Sequence, residues 1–183
     1  SRIRAGDQLP VLGPLGRGFE LPKGGDVPLL VAGGIGVAPL IFLAQSISTD
    51  DVIFMAGYGS AGDVIPAEEV GLTCGGMIIS TNDGSTGHRS TVTELLESRL
   101  NMPDEKKISV FTCGPISMLE RMAVITLGRN IPCQISLEAN MACGLGACQG
   151  CAVKSAPGRD RSYYHVCRDG PVFNVRDLDW RTL

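Results

Sequence analysis

Residues 29–40 read LLVAGGIGVAPL, an apolar run that passes into a glycine-rich turn and then into a second apolar run. The first run is short and closed by glycines, as a buried strand is, while residues 37–47 have the length of a helix. Glycines at such a junction let the backbone approach a diphosphate, whose charge is favoured by the free N–H groups at the helix start. The spacing is G-G-x-G-x-x-P rather than the G-x-G-x-x-G of the dinucleotide fingerprint, and glycine turns also serve packing. Phosphate binding is therefore one of two interpretations for Gly33, Gly34, Ile35, Gly36 and Pro39.

The alternation of strand and helix continues through residue 136. Helices are predicted at 91–100, where Thr91 and Glu94 form a capping box, and at 115–127, which a proline opens. Continuous apolar strands separated by helices are typical of a parallel sheet covered on both faces. The predicted fold class is therefore α/β, with a parallel-sheet nucleotide-binding domain. Short apolar runs predict its further strands at 52–56, 77–80, 108–112 and 133–137.

Composition excludes several classes of protein. Of the 183 residues, 44% are hydrophobic, so the chain can bury a core and is not a disordered tail. The net charge is −3 with the signs well mixed, which argues against binding to nucleic acid or to a membrane surface. Residues 27–49 carry no charge, but glycines and prolines divide them into a strand and a helix, so no membrane span is expected. The odd count of seven cysteines in a chain with an apolar core indicates a reducing compartment, and we expect a cytoplasmic protein.

Four of the cysteines crowd together with the spacing C-x4-C-x2-C-x15-C. The first three lie in a glycine-containing loop, whose backbone can wrap closely round a cluster and turn its amides toward the sulfurs. The spacing is that of plant-type [2Fe–2S] proteins, with a shorter final interval. The alternative is a structural zinc site, although such sites usually combine two C-x2-C pairs or mix Cys with His, and His165 would then compete as a ligand. The candidate metal ligands are Cys143, Cys148, Cys151 and Cys167.

A second strand end, at residues 111–113, is followed by Gly114, Pro115 and a predicted helix. In a parallel sheet this turn lies at the same C-terminal edge as the first glycine turn, where open α/β sheets bind ligands. There the thiol of Cys113 would contact a nicotinamide ring. The alternative interpretation is a packed cysteine before a proline-opened helix.

Three zones follow one another along the chain. Residues 1–25 hold a strand-like run at 8–12 and then loop, and residues 26–136 are expected to form the nucleotide-binding α/β domain. Residues 137–183 break the alternation and are too few to form a core of their own, so we expect a [2Fe–2S] cluster to stabilise this zone. Loss of a ligand such as Cys148 would then disorder the zone.

Taken together, the motifs resemble the pyridine-nucleotide domain of the ferredoxin–NADP reductase superfamily, with G-G-x-G-x-x-P at 33–39 and C-G-P at 113–115. The four cysteines and the run CRDGPVF at 167–173 narrow the match to the electron transfer subunits of type B dihydroorotate dehydrogenases. This resemblance spans nearly the whole chain, and the last motif is specific to that family. Two further stretches fit the family, residues 9–16 and 81–85.

The resemblance implies an oxidoreductase subunit that works in pyrimidine biosynthesis as part of a hetero-oligomer. In that family an FMN-containing dihydroorotate dehydrogenase subunit oxidises dihydroorotate to orotate. Electrons then pass through the [2Fe–2S] cluster to FAD, which reduces NAD⁺ by hydride transfer. A flavin must lie between the cluster and NAD⁺, because the cluster carries one electron at a time and nicotinamide takes two together. The implied catalytic residue is Cys113, and the implied cofactor-binding residues beyond the first glycine turn are Asp83, Gly84, Cys113, Gly114 and Pro115.

Members of the family begin with a flavin-binding β-barrel that carries an Arg-x-Tyr-Ser type motif, which this sequence lacks. Residues 1–25 are therefore expected to be the remnant of that barrel and its linker. FAD binding is expected of the intact protein rather than of these residues alone.

Two details concern the nucleotide and the histidines. After the second predicted strand no Arg or Lys precedes Asp63 to meet a 2′-phosphate, which favours NAD over NADP. Asp63 either bonds a ribose hydroxyl or caps the next helix. His88 and His165 lie in polar stretches and are interpreted as solvated surface residues.

Two other functions are compatible with the same residues. One is the NAD(P)-facing iron–sulfur flavoprotein subunit of a hydrogenase or of a bifurcating transhydrogenase. The other is a non-catalytic binding module in which zinc ties the C-terminal tail to a degenerate nucleotide fold. Metal content, nucleotide affinity and the co-purified partner separate the three hypotheses.

Overall fold

The sheet is built around strand β1, Val27–Gly33, whose seven residues are all buried. The computed structural model describes residues 3–22, 24–49, 51–66, 76–103 and 106–183. Cys74 lies outside these residues. A strand that is buried on both faces lies at the centre of a parallel sheet covered by helices on both sides, as the continuous apolar run predicts.

Along the chain, each helix of the nucleotide domain follows one parallel strand and precedes another. The elements after β1 are α1 (Val37–Ser46), β2 (Ile53–Tyr58), β3 (Met77–Thr81), β4 (His88–Arg89), α2 (Val92–Leu100), β5 (Ile108–Cys113), α3 (Ile116–Gly128), β6 (Cys133–Ser136), β7 (Ala152–Lys154), β8 (Tyr163–His165), α4 (Val166–Asp169) and β9 (Val172–Asn174). Within the described residues the main sheet has the strand order β4-β3-β2-β1-β5-β6-β9, and only β9 runs antiparallel to its neighbour. Strands β7 and β8 form a separate antiparallel pair.

The α/β class and the mostly parallel sheet predicted from the sequence are confirmed. All five predicted strands of the nucleotide domain are present, and the predicted helix at 91–100 begins with the Thr91–Glu94 capping box. The strand predicted at residues 8–12 is wrong, because this stretch has no regular structure and Val11 is 88% exposed. A strand needs a hydrogen-bonded neighbour, and no described strand lies beside residues 8–12.

Two hydrophobic clusters fill the two faces of the sheet. One lies under α1 and includes Leu40 and Phe111, and the other lies under α2 and α3 and includes Leu96 and Met122. The second cluster continues into the C-terminal zone through its buried side chains, and β9 pairs with β6 of the main sheet. The C-terminal zone therefore shares the core of the nucleotide domain. Its buried members in that core are Leu137, Cys151, Val166, Cys167, Phe173, Val175 and Leu178.

The start of α2 offers a test of local stability. The Thr91 hydroxyl accepts the Glu94 backbone N–H at 3.3 Å, and the Glu94 carboxylate accepts the Thr91 N–H at 2.8 Å. We expect Thr91→Ala to lower the free energy of unfolding by about 1 kcal/mol, because it leaves N–H groups at the helix start without a partner. Denaturant unfolding measures this change, and Ser98→Ala, on the exposed face of the same helix, is the control. An equal loss in both variants would contradict a role for the cap.

None of the helices in the described residues is long and apolar enough to span a bilayer.

Candidate functional site

The two predicted glycine turns, at residues 33–36 and 113–115, contact each other at the C-terminal edge of the sheet. A Cβ on Gly33 would lie 2.6 Å from the Met118 Sδ and 2.8 Å from the Pro115 Cδ, and one on Gly36 would overlap the Cys113 carbonyl oxygen. A Cβ on Gly114 would lie 3.0 Å from the Gly33 backbone. These three glycines therefore serve close packing between the two turns, which was the alternative interpretation of the sequence.

A cavity of about 680 Å³ opens beside the two turns. Its walls come from the C-terminal ends of β1 and β2, from the turns that follow β3 and β5, and from the starts of α2 and α3. Open parallel sheets bind their ligands at this edge. The lining includes Gly33, Gly34, Ile35, Tyr58, Gly59, Asp63, Asn82, Thr91, Thr93, Pro115, Ser117, Met118 and Arg121.

The helix starts at this edge favour an anion. Helix α1 begins after Gly36 and α3 begins after Pro115, and neither start carries a side-chain cap or an acidic residue in its first turn. The positive ends of two helix dipoles are thus left for a ligand. Gly34, with φ +53° and no atom within 4 Å of an added Cβ, lets the backbone line the cavity without a side chain.

The predicted nucleotide residues differ in where they lie. Gly33, Gly34, Ile35 and Pro115 line the cavity, and Gly33 also takes part, with Gly36 and Gly114, in the contact between the turns. The Asp83 carboxylate accepts the Ser85 N–H at 2.9 Å and the Ser85 hydroxyl at 2.6 Å, which lowers the pKa of Asp83. Pro39, Asp83 and Gly84 are exposed and are not among the residues that line the cavity.

Asp63 is held by its own turn. Its carboxylate accepts the backbone N–H and the hydroxyl of Ser60, both at 2.9 Å, and so caps the short 3-10 helix Ala61–Asp63. This geometry agrees with the interpretation of Asp63 as a helix cap, and the residue also lines the cavity.

Cys113 ends β5 and is buried, with 3% of its surface exposed. Burial raises the pKa of its thiol above the ordinary value, while the Ser136 side chain acts in the opposite direction. The residue packs in the cluster under α1. Gly33 and Pro115 line the cavity, whereas Cys113 is not among the lining residues.

Arg121 is a cavity residue that the sequence patterns did not single out. Its Nη2 atom lies 2.9 and 3.0 Å from the two carboxylate oxygens of Glu97, and this ion pair joins α3 to α2. Ser117, four residues earlier, lines the cavity as well. The i, i+4 spacing on the helix that follows the C-G-P turn places both residues on one face, and this spacing was the available signal.

The cysteine loop turns its backbone amides toward sulfur. The Cys143 Sγ accepts the N–H groups of Leu145 and Cys148, both at 3.4 Å, and the Cys167 Sγ accepts the Gly146 N–H at 3.1 Å. Gly144 and Gly146 adopt φ values of +69° and +77°, which the turning loop requires. The loop therefore brings the C-terminal Cys167 to the first three cysteines.

These contacts change the acidity of the thiols. The backbone N–H groups of Cys148 and Leu145 lower the pKa of Cys143 to about 6. The Cys151 thiol lies 3.3 Å from the Cys167 Sγ, and this contact together with burial raises the pKa of Cys167. Thiolates, not thiols, are the ligands of iron and zinc. Amide donors aimed at sulfur are the donor set that stabilises thiolates around a cluster.

The residues fit an iron–sulfur cluster by donor chemistry. Amide donors reach Cys143 and Cys167, Cys148 lies within the same loop, and Cys151 contacts Cys167. In the described part of the chain no three His, Cys, Asp or Glu side chains already stand in the geometry of a metal site.

His165 corrects a prediction. It was interpreted as a solvated surface residue, but it lies in β8 with 15% of its side chain exposed and with a buried Nε2 that has no hydrogen-bond partner. Its Nδ1 lies 3.6 Å from the Asp169 carboxylate. Pairing of β8 with β7 buries the ring, and the polar neighbours in sequence do not reveal that pairing. His88 is exposed, as predicted.

Comparison with known proteins relates the chain to one family. Residues 138–179 match the family described as the iron–sulfur cluster binding domain of dihydroorotate dehydrogenase B. The dihydroorotate dehydrogenase B (NAD(+)) electron transfer subunit of Caldanaerobacter subterraneus subsp. tengcongensis is 41% identical over 178 residues, which are 97% of this chain and 69% of that protein. The subunit of the same name from Listeria monocytogenes is 37% identical over 185 residues, covering 97% of this chain and 68% of that protein.

A solved structure shares the fold. The NADH-dependent reduced ferredoxin–NADP oxidoreductase, described in work on flavin-based electron bifurcation, superimposes with a TM-score of 0.77 at 25% sequence identity. The match covers 94% of this chain and 60% of that one, so the chain spans a little over half of the structure and about two thirds of its curated relatives. With this coverage and identity, the chain belongs to the family of dihydroorotate dehydrogenase B (NAD(+)) electron transfer subunits.

Proposed function

We propose that the chain transfers electrons from a partner subunit to NAD⁺ through a [2Fe–2S] cluster held by Cys143, Cys148, Cys151 and Cys167 and through FAD. The observation that carries this proposal is that both candidate sites rest on one hydrophobic core. Cys151 and Cys167 belong to the same buried cluster as Leu119 and Met122 of α3, and the start of α3 lines the nucleotide cavity. A rigid core between two redox sites keeps their separation constant.

The residues of this chain supply binding and orientation. The Gly33–Gly36 turn and the uncapped starts of α1 and α3 would hold the dinucleotide phosphates. The amides of Leu145, Gly146 and Cys148 would stabilise negative charge on the ligand sulfurs. When bound, the cluster supplies one-electron transfer and the flavin converts single electrons into the hydride that NAD⁺ accepts. Cys113, at the end of β5 and two residues before Pro115 of the cavity lining, is proposed as the residue that contacts the nicotinamide.

The charges around the cavity support NAD rather than NADP. Arg121 is the basic residue among the described cavity-lining residues, and Glu97 already neutralises it. Asp63, a carboxylate, lines the same cavity. A 2′-phosphate would therefore meet an acidic group and no unpaired cation, which disfavours its binding.

The family name implies a catalytic partner. Relatives are named electron transfer subunits, and a subunit of this kind requires another protein that supplies electrons. We propose that this partner is an FMN-containing dihydroorotate dehydrogenase and that the complex is cytoplasmic. Residues 1–25 are proposed as the last part of the flavin-binding barrel with its linker, 26–136 as the NAD-binding domain and 137–183 as the cluster domain.

The test begins with anaerobic purification. Bound iron and sulfide, a [2Fe–2S] absorption spectrum and NADH binding are the expected results for the chain. Co-expression of the intact, FAD-binding protein with an FMN-containing dihydroorotate dehydrogenase should give a complex that reduces NAD⁺ with dihydroorotate. Absence of iron after reconstitution would refute the cluster. Zinc in place of iron, with no affinity for NADH, would instead favour the non-catalytic binding module.

A second candidate rests on the structural comparison. The solved neighbour is an NADH-dependent reduced ferredoxin–NADP oxidoreductase, and it matches this chain at 25% identity. A bifurcating partner would explain bound iron and NADH affinity without dihydroorotate oxidation. The identity of 41% to a dihydroorotate dehydrogenase B subunit favours the first candidate.

A further inference from the structure

The segment that precedes the nucleotide domain is hydrogen-bonded directly to the C-terminal zone, residues 137–183. The Arg17 N–H donates to the Gly170 carbonyl at 2.5 Å, and the Val172 N–H donates to the Arg17 carbonyl at 3.3 Å. Arg17 and Pro171 form a parallel bridge. On its other side, the Pro171 carbonyl accepts the Leu137 N–H at 2.9 Å. The turn Gly170–Val172 is therefore held between Arg17 and the end of β6.

The same segment has two further anchors on the main sheet. The Glu20 N–H donates to the Gln134 Oε1 at 2.8 Å, and the Gln134 Nε2 donates to the Glu20 carbonyl at 2.9 Å. The Phe19 ring meets the Phe111 ring edge to face, with centroids 6.0 Å apart. Residues 16–20, which we call the strap, thus cross from β9 over β6 to β5.

The strap contacts the C-terminal zone close to Cys167, one of the proposed cluster ligands. Gly170 follows Cys167 by three residues, and helix α4 (Val166–Asp169) connects them. The Cys167 Sγ accepts the Gly146 N–H, and the Cys167 N–H donates to the Cys151 Sγ at 3.5 Å. A displacement of Gly170 would therefore move the segment that carries Cys167 against the cysteine loop.

A glycine at position 16 is required for the strap to lie so close. Gly16 adopts φ +71°, and a Cβ there would overlap the Gly170 carbonyl oxygen. Gly18, two residues later, has open space around a Cβ and no positive φ. The two glycines of the strap are thus a natural pair, one that needs to be glycine and one that does not.

We propose that the strap positions Cys167, the fourth proposed cluster ligand. The properties of the cluster then depend on the segment that precedes the nucleotide domain. This inference rests on the proposed cluster function. The strap residues act through Gly170 and contact no ligand sulfur, so they are positioning residues. The dinucleotide cavity has no strap residue among its lining, so nucleotide affinity is independent of the strap.

The test compares Gly16→Ala with Gly18→Ala in the full chain. In iron-free protein, we expect the backbone amides of residues 166–172 to exchange with solvent about tenfold faster in Gly16→Ala than in Gly18→Ala. In iron-loaded protein, Gly16→Ala should release iron faster to a ferrous chelator and shift the EPR signals of the reduced cluster. Gly18→Ala should match the unmodified chain in all three measurements, and both variants should bind NADH equally.

A second variant keeps the test informative if Gly16→Ala does not fold. Gln134→Ala removes the reciprocal hydrogen bonds with Glu20 and should shift the exchange and iron-release rates in the same direction by a smaller factor. Exchange and iron release equal to those of Gly18→Ala would overturn the proposal. The hydrogen-exchange measurement needs no iron, so a chain that never binds iron would refute the proposed function while leaving the strap contacts measurable.

Discussion

Cys148→Ser is expected to lower the iron content from about two atoms per chain to near zero and to abolish the [2Fe–2S] absorption. Cys148 is an exposed residue of the amide-lined loop, so the substitution removes a thiolate ligand with little effect on packing. Serine is a poor substitute because its hydroxyl is far less acidic than a thiol and is a harder donor than iron–sulfur clusters prefer. Iron analysis and the visible spectrum of anaerobically reconstituted protein measure the effect.

The matched control is Cys133→Ala. Cys133 is buried in β6, and burial raises the pKa of its thiol to about 12, so it is not available as a thiolate ligand. This variant should keep its iron and lose a modest amount of stability through a small cavity. A Cys148→Ser protein that retained iron and its spectrum would refute the assignment of Cys148 as a ligand.

The structure changes what should happen to the fold when the cluster is lost. From the sequence, loss of a ligand was expected to disorder residues 137–183. In the structure β9 pairs with β6, and Val166, Phe173 and Val175 belong to the core under α3. We therefore expect the main sheet and residues 166–178 of Cys148→Ser to stay folded, with new mobility confined to the loop around residues 143–150. Hydrogen exchange by segment distinguishes the two outcomes.

Gly34→Ala is expected to weaken NADH binding by tenfold or more, which corresponds to about 1.4 kcal/mol or more. Gly34 lines the cavity at φ +53°, so a side chain there strains the turn and occupies space that a phosphate would approach. The strain also lowers the free energy of unfolding, by about 1 kcal/mol or somewhat more. Titration of the chain with NADH, followed by fluorescence or calorimetry, measures the affinity.

Gly128→Ala serves as the control for this substitution. Gly128 ends α3, has no positive φ and has no atom within 4 Å of an added Cβ. Its affinity for NADH should equal that of the unmodified chain. Unchanged affinity in Gly34→Ala would mean that the whole glycine turn serves packing and that the dinucleotide binds elsewhere.

Much of the fold was predictable because its signals are local. The apolar runs predict β1, β2, β3, β5 and β6 in order. A strand buried on both faces must be apolar throughout, as β1 is. The Thr91–Glu94 cap marks a helix start by side chains that bond to backbone groups within the same turn. Residues 8–12 show the limit of such signals, because an apolar run becomes a strand only where a partner strand lies beside it.

The sequence by itself determined the fold class, the order of the central strands and the candidate ligand set, because periodicity and cysteine spacing are properties of neighbours along the chain. Only the tertiary structure decided which glycine faces the cavity and which separates two turns, that Arg121 pairs with Glu97, and that His165 is buried. It also decided that β9 joins the main sheet and that Arg17 holds the turn after Cys167. These features depend on contacts between residues 13 to 155 positions apart, and no local pattern encodes a contact across such a distance.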